Sequence, residues 1–263
     1  MASSLPVLAT QSRFGETQRR DRWWVAPLAT ALTFGGAGGY ATWAILQGRD
    51  YFTEPYLSPF YSPCLAAQCP DEVEMLGIGW WPFSPAILLM AVILGFRATC
   101  YYYRKAYYRS FFMDPPACAV GEPWGAGYRG ETFFPLVLQN LHRYFLYLSI
   151  PVLLLLWYDT LKAFVFPGGF GVGLGTVVLL VNVVLLTGYL LGCHSLRHLV
   201  GGSVDCASCA AFGRARHGAW QRAGWFNRLH MQWAWSSLVF VCIADLYVRL
   251  LARGVISDPR IVF

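Results

Sequence analysis

Five long apolar segments, separated by shorter polar stretches, dominate the hydrophobic pattern of this chain. They cover about residues 25–47, 84–103, 143–166, 174–197 and 230–252. Each is long enough to cross a bilayer as a helix, which takes about 20 mainly apolar residues. The pattern predicts an all-α integral membrane protein, a bundle of five transmembrane helices.

The composition supports a single membrane domain. Hydrophobic residues make up 56% of the 263 positions and charged residues 13%, whereas soluble domains have about 25% charged residues. Several spans with short loops fill this length, so we expect a transmembrane anchor domain over 25–263 behind an N-terminal arm over 1–24. No apolar segment precedes the first long helix, and we therefore expect that helix to be retained.

The distribution of charge predicts the orientation. Arginine and lysine cluster in the arm, in the 104–130 loop and in the 198–229 loop, whereas the 48–83 loop has one arginine against five acidic residues. Because basic loops stay on the cytoplasmic side, we expect a cytoplasmic N-terminus and an outer C-terminus. The same rule accounts for the net charge of +6, so we expect no nucleic-acid partner.

Cysteine and histidine residues gather at the inner ends of four predicted helices. They are Cys100, His142, Cys193, His194, His198 and His230. Polar groups at one depth in a bilayer indicate a functional site, because each is costly there. The fifth histidine, His217, lies in a loop outside this layer.

The residue types at this layer indicate redox chemistry. Imidazole and thiolate together suit zinc, iron or an iron–sulfur cluster, and two histidines across a bundle suit haem. A structural zinc is disfavoured, since a helical membrane bundle folds without a metal. His194 and His198 share one helix face, whereas Cys193 points about 100° away from His194 in an ideal helix. We therefore expect the fourth helix to serve two neighbouring sites.

The other cysteines have simpler interpretations. Cys64 and Cys69 in the outer loop are placed to form a disulfide, and Cys206 and Cys209 form a CxxC pair, a weak zinc signal without a second pair. Cys242 is interpreted as apolar packing. Cys118 lies in an inner loop and is a reserve ligand.

Charged residues near the helix ends allow two interpretations. Those at the inner ends anchor the helices, or else bind an electron donor or polarise a quinone carbonyl; they are Arg97, Arg104, Arg143 and Arg197. Those towards the outer ends are expected to pair with one another; they are Asp159, Lys162, Asp245 and Arg249.

Several segments resemble a known family. They read FRATCYYYRKAYYRSFF, HRYF, CHSLRH followed by GG, and NRLHMQWAW. They are similar to the membrane-anchor, cytochrome b-like subunit of type F succinate dehydrogenase, respiratory complex II of actinobacteria such as mycobacteria. The resemblance runs from about Gly77 to the C-terminus. Earlier residues match only in having one helix and an acidic outer loop.

The resemblance implies a function. A flavoprotein subunit oxidises succinate, an iron–sulfur subunit passes the electrons on, and the anchor reduces a membrane quinone, expected to be menaquinone, in the bacterial plasma membrane. The family is reported to hold a Rieske-type 2Fe–2S cluster, with two cysteines on one iron and two histidines on the other. A trimer of complexes is compatible with this assignment.

The resemblance and helix depth together suggest the site residues. Cys100 and Cys193 match the family segments and are the expected cysteine ligands. The expected histidine ligands are His142 and His230, with His194, His198 and Cys118 as alternates. His194, His198 and Arg197 are otherwise expected to line a quinone pocket.

Two other functions remain open on the sequence. One is the same complex with a b-type haem between two of the histidines. The other is a transporter or a passive scaffold, although a transporter is expected to carry an ionisable pair at mid-bilayer. The third and fourth helices have only Asn182 as a polar residue near their centres.

Overall fold

Long α-helices form the body of the protein, and short strands lie in the connections at one end. The computed structural model describes residues 13–66, 70, 74–78, 84, 86–123, 132–134, 136–202, 206–209 and 211–263. The helices are α1 (Val25–Gln47), α2 (Ala86–Ala98), α3 (Tyr101–Tyr107), α4 (His142–Lys162), α5 (Leu174–Leu191), α6 (His194–Gly201), α7 (Gly213–Arg228) and α8 (His230–Ala252). Short 3₁₀ turns cover Pro59–Tyr61 and Leu136–Leu141, and a π turn covers Tyr108–Phe112.

Within the part of the chain that the structure describes, the strands form three small sheets. They are β1 (Phe52–Thr53), β2 (Tyr56–Leu57), β3 (Cys64–Ala66), β4 (Glu74–Ile78), β5 (Val165–Phe166), β6 (Gly169–Gly173) and β7 (Arg260–Val262). β1 pairs with β2 and β3 with β4, while β6 lies between β5 and β7. The chain is therefore mostly helical but not purely α, because its connecting loops on one side pair as short strands.

Three helical segments have the length and hydropathy of a membrane span. Among the described residues these are Leu136–Lys162, α5 and α8, and α2 with the following helix (Tyr101–Phe112) makes a fourth if that bent pair is one span. The predicted first span matches α1 in its bounds, but its hydropathy, lowered by four glycines, leaves it outside this set. The protein is a multi-pass membrane protein.

The predicted helix over 84–103 is wrong as one continuous element. α2 ends at Ala98, and the following helix turns away from it by 80°. The Thr99 hydroxyl donates to the Gly95 carbonyl at 2.6 Å, and such a bond to the preceding turn bends helices. Cys100 then adopts an extended conformation, with φ −64° and ψ 127°.

The predicted helix over 174–197 is also interrupted. α5 ends at Leu191, Cys193 is extended with φ −68° and ψ 135°, and α6 begins at His194. The break leaves the Gly192 carbonyl without a helical partner, and the Asn227 side-chain amide donates to it at 2.7 Å. α7 therefore stabilises the interruption.

A buried ion pair within α8 is hydrogen-bonded to α1 and to the predicted outer loop. Arg249 donates to Asp245 at 2.7 Å, and both side chains are almost fully buried. Asp245 also accepts from Tyr40 on α1 and from Ser58 in the loop. The Nη1 and Nη2 groups of Arg249 donate to the carbonyls of Arg49 and Ala44. The expected pairing of outer charges is confirmed for these two, whereas Asp159 accepts from Ser62.

The C-terminal segment packs at the same end of the bundle. Asp258 accepts from the hydroxyls of Tyr56 and Tyr247, each at 2.6 Å, and from the backbone N–H of Gly175 at 2.9 Å. At the opposite face the N-terminal arm pairs with the loop after α3, through Gly15 and Gly121. Segments predicted to share a side of the membrane therefore lie together.

Candidate functional site

The two predicted cysteine ligands occupy equivalent positions in two interrupted helices. Cys100 lies between α2 and α3, and Cys193 lies between α5 and α6; each is extended and immediately precedes a helix. Their exposed fractions are 3% and 1%. Both thiols belong to one buried cluster that also contains Phe96, Tyr103 and Tyr189. The interruptions bring the two thiols into the bundle interior.

His142, the first residue of α4, faces the second of these cysteines. Its Nε2 lies 3.1 Å from Cys193 Sγ, and its Nδ1 lies 3.0 Å from Thr99 Oγ1. The ring stacks on Phe96 with centroids 4.6 Å apart. Because the Thr99 hydroxyl donates to Gly95, its oxygen accepts from His142 Nδ1–H. That bond leaves Nε2 unprotonated on the thiol side, ready to act as a ligand.

His230, the first residue of α8, makes the matching contact. Its Nε2 lies 3.5 Å from Cys100 Sγ, and its ring stacks on Tyr189 with centroids 5.1 Å apart. Its Nδ1 is buried without a hydrogen-bond partner. A Cβ at Gly192 would lie 3.1 Å from this nitrogen, so the imidazole packs closely against the helix break.

The four predicted ligands therefore form two neighbouring thiol–imidazole pairs. The rings that support the histidines, Phe96 and Tyr189, touch edge to face at 5.5 Å. Among the described residues, no three His, Cys, Asp or Glu side chains converge on one metal ion. A Rieske-type cluster takes two cysteines on one iron and two histidines on the other, so each iron would draw one ligand from each pair. The donor set and its burial fit a Rieske-type cluster.

The other predicted site residues lie on α6. His194 and His198 are exposed, and the Arg197 guanidinium lies 4.3 Å from the centre of the Trp220 ring. In an ideal helix the side chains of Cys193 and His194 would point about 100° apart. That expectation is wrong, because Cys193 is extended and α6 begins only at His194. Arg197 Nε is buried without a hydrogen-bond partner. A quinone pocket at these three residues stays a prediction.

The remaining cysteines are separate from the thiol–imidazole pairs. Cys206 and Cys209 are joined by a disulfide, which leaves neither free to bind zinc. Cys64 is disulfide-bonded, and its predicted partner Cys69 lies outside the described residues. The reserve ligand Cys118 is an exposed free thiol in the loop after α3.

The sequence left the role of Arg97 open between an anchor at the membrane surface and a functional charge, and it did not predict that this side chain is buried. Arg97 is 8% exposed. It donates to Tyr103 at 2.5 Å and to Ser237 at 3.0 Å, and its guanidinium lies 4.8 Å from the centre of the Tyr189 ring. Its place at the inner end of the helix, three residues before Cys100, is the sequence signal that points to the site.

Comparison with known proteins identifies the family. Residues 25–254 match the family described as actinobacterial succinate dehydrogenase subunit SdhC. A chain of the Mycobacterium smegmatis Sdh1 complex in the apo form is 44% identical and has a TM-score of 0.84, with 94% of each chain covered. No curated protein sequence matches this chain. The chain belongs to the actinobacterial succinate dehydrogenase subunit SdhC family, and it is the membrane subunit of that enzyme complex.

Proposed function

We propose that this subunit conducts electrons from the iron–sulfur subunit of succinate dehydrogenase to a menaquinone through a Rieske-type 2Fe–2S cluster. Cys100 and Cys193 would hold one iron, and His142 and His230 would hold the other. The observation that carries the proposal is the pair of buried thiol–imidazole contacts, at 3.5 and 3.1 Å, placed by two helix interruptions.

The overall reaction balances without another reactant. Oxidation of succinate to fumarate releases two electrons and two protons, and reduction of a quinone to a quinol takes up the same number of each. When bound, the cluster supplies transfer of one electron at a time. The flavoprotein and iron–sulfur subunits are the proposed partners, and the exposed arginines of α7 offer a basic surface for them; these are Arg214, Arg222 and Arg228.

Supporting residues prepare the donors for this role. Thr99 holds His142 in the tautomer that presents Nε2, which is the task of an outer-shell partner at a metal site. Phe96 and Tyr189 cover the imidazoles with aromatic rings. This packing excludes water from the donor atoms and fixes the ring orientations before the cluster binds.

The same proposal includes five membrane spans with a cytoplasmic N-terminus in the bacterial plasma membrane. α1 is long enough to cross, at 23 residues, and it carries no charged residue. Its Tyr40 donates to Asp245 of α8, so α1 packs against the other helices. The basic segments then lie on the cytoplasmic side, as the positive-inside rule requires.

The contacts favour a cluster over the haem alternative. Haem held by two histidines requires imidazoles that face each other across the porphyrin iron. Here the Nε2 atoms of His142 and His230 each face a thiol sulfur instead. A site built around two histidines alone would leave the two buried thiols without a role.

The spectrum of the purified, dithionite-reduced complex tests this proposal. We expect the electron paramagnetic resonance signal of a Rieske-type cluster and no intense haem Soret band in the optical spectrum. A Soret band without the Rieske-type signal would exclude the cluster and make the histidines haem ligands.

A further inference from the structure

A disulfide joins Cys206 to Cys209 in the connection between α6 and α7. Two residues lie between the cysteines, and both Ser208 and Cys209 are exposed. A bridge across so short a loop constrains the unfolded chain less than a bridge that closes a long loop. Its contribution to stability is therefore small, and its chemistry is the property to explain.

The side of the membrane on which this disulfide lies indicates its chemistry. The connection belongs to the basic segment over 198–229, for which the positive-inside rule predicts the cytoplasmic side. The cytoplasm keeps most cysteines reduced, and the disulfides that occur there are usually transient, with catalytic or redox-sensing roles. An exposed disulfide on that side is therefore expected to be reduced and formed again repeatedly.

Cys64 provides a contrast within the same chain. It is disulfide-bonded and 0% exposed, and it lies in the acidic loop predicted on the outer side. Reduction requires a thiolate to attack a disulfide sulfur directly, so access decides which bond reacts. The bond of Cys64 is expected to be permanent, whereas the bond between Cys206 and Cys209 is open to exchange.

Ser208 is placed to assist the breaking of this bond. Its hydroxyl oxygen lies 3.3 Å from Cys206 Sγ and 3.9 Å from Cys209 Sγ. Because a disulfide sulfur carries no proton, the serine O–H is the donor in both contacts. If Cys206 leaves as a thiolate, the closer contact stabilises its negative charge, and a better-stabilised thiolate leaves faster.

The turn that carries the disulfide is held against α7. The backbone carbonyl of Ala207 packs on the first residue of that helix, where a Cβ at Gly213 would overlap it. Arg216 of the same helix donates to the carbonyls of Val200 and Gly202 at 3.1 and 2.8 Å. α7 thus holds the connection at two points without covering the disulfide.

We propose that Cys206 and Cys209 form a thiol–disulfide exchange site that accepts two electrons from a protein dithiol of the thioredoxin class on the cytoplasmic side. A thiolate of the donor attacks the Sγ atom of the exposed Cys209 and forms a mixed disulfide, while the bond to Cys206 breaks and leaves its electron pair on Cys206. The second thiolate of the donor then attacks the donor sulfur of the mixed disulfide, which releases Cys209 as a thiolate and leaves the donor oxidised. Cys206 and Cys209 take up the two protons that the donor thiols lost. The inference rests on the proposed orientation of the subunit and not on the proposed cluster.

Differential alkylation of the purified complex tests this site. The complex is incubated with reduced thioredoxin in the absence of oxygen and denaturant, free thiols are alkylated, and each cysteine is assigned by mass spectrometry. We expect Cys206 and Cys209 to become alkylated within minutes and Cys64 to stay unmodified until the protein is denatured. Resistance of Cys206 and Cys209 before denaturation, or equal reduction of Cys64, would overturn the proposal.

A serine variant tests how the bond breaks. Ser208→Ala is expected to slow the reduction by about tenfold, because it removes a hydrogen bond to a charged leaving group. Ser236→Ala is the matched control, because the Ser236 hydroxyl donates to the Gln232 carbonyl within α8. Reduction of Ser208→Ala at the rate of Ser236→Ala would overturn the role assigned to Ser208.

Sealed membrane vesicles distinguish a failure of the site from a failure of the proposed orientation. Thioredoxin does not cross the membrane, so we expect reduction in inverted vesicles, which expose the cytoplasmic face, and none in right-side-out vesicles. Reduction in right-side-out vesicles alone would overturn the proposed orientation and the cytoplasmic donor with it. Resistance in both kinds of vesicle and in the purified complex would overturn the exchange site and leave the orientation and the cluster intact.

Discussion

The Nε2 atom of His142 lies 3.1 Å from the Sγ atom of Cys193, although 51 positions separate the two residues. The equivalent contact between His230 and Cys100 spans 130 positions. Each contact joins the first residue of a long helix to a cysteine in a helix interruption. The two contacts define one site assembled from four separate parts of the chain.

Replacing either histidine is expected to remove the cluster. His142→Ala and His230→Ala each delete one of the four proposed ligands, so we expect the Rieske-type signal to disappear and quinone reduction to fall by about 100-fold or more. Succinate oxidation with a soluble dye acceptor is expected to continue, because the proposed flavoprotein subunit carries it out. The measurements are the paramagnetic resonance spectrum and the two steady-state rates.

His217→Ala is the matched control for these variants. His217 is exposed on α7, where it contacts Gln221 and stacks on Trp220. We expect its signal and both rates to equal those of the wild type. Normal quinone reduction in both His142→Ala and His230→Ala would show that the ligands were chosen wrongly.

Much of the helical organisation follows from the sequence. The bounds of α1 and α8 match the predicted segments, because apolar runs of these lengths have no other stable form in a bilayer. The charge distribution also predicted that the 48–83 loop and the C-terminus lie on the same side of the membrane. In the structure Asp50 of that loop pairs with Arg253 near the C-terminus. These features depend on local composition, which a single sequence records.

The interruptions at Cys100 and Cys193 do not follow from local composition. Neither lies at a proline, and each depends on a tertiary or backbone contact: Thr99 bonding back to Gly95, and Asn227 donating to Gly192. The burial of Arg97 likewise depends on Tyr103 and Ser237. The predicted ligands nevertheless lie in two contacting pairs, as expected from their similar depth in the helices; that they bind a cluster stays a prediction.

Thr99 is expected to support the cluster from outside its ligand set. Thr99→Val removes the oxygen that accepts from His142 Nδ1, and loss of such a partner lowers metal affinity by about 10–100-fold. We expect a weaker cluster signal per complex and a shifted midpoint potential. The measurement is a redox titration followed by paramagnetic resonance.

Thr42→Val provides a matched control for that substitution. Thr42 also bonds back to the carbonyl four residues earlier, Gly38, but it is exposed on α1 and contacts no histidine. Its cluster signal and potential are expected to be unchanged. Equal effects in the two variants would mean that Thr99 acts only through helix geometry.

The ion pair of Asp245 and Arg249 is expected to be important for stability. Arg249→Met leaves a buried carboxylate without its cationic partner, which costs about 3–5 kcal/mol. Arg253→Met removes a partly exposed pair with Asp50 and is expected to cost about 1 kcal/mol or less. Thermal unfolding of the two variant complexes measures the difference. Equal midpoints would show that the buried pair is compensated elsewhere.

Close contact between α5 and α8 gives a further prediction near the site. A Cβ at Gly188 would lie 2.6 Å from the indole ring of Trp233, and α8 carries both this ring and His230. Gly188→Ala is therefore expected to force the helices apart and lower the free energy of unfolding by about 1–3 kcal/mol. Because His230 moves with α8, the Rieske-type signal should also broaden or weaken.

Gly39→Ala separates this packing effect from the intrinsic helix preference of alanine. A Cβ at Gly39 meets no atom within 4 Å, so only the helix propensity changes, and it favours alanine by about 1 kcal/mol. We expect the unfolding midpoint to stay the same or rise and the cluster signal to stay unchanged. If Gly188→Ala behaved as Gly39→Ala does, Trp233 would have room to move, and the α5–α8 contact would not hold His230 in place.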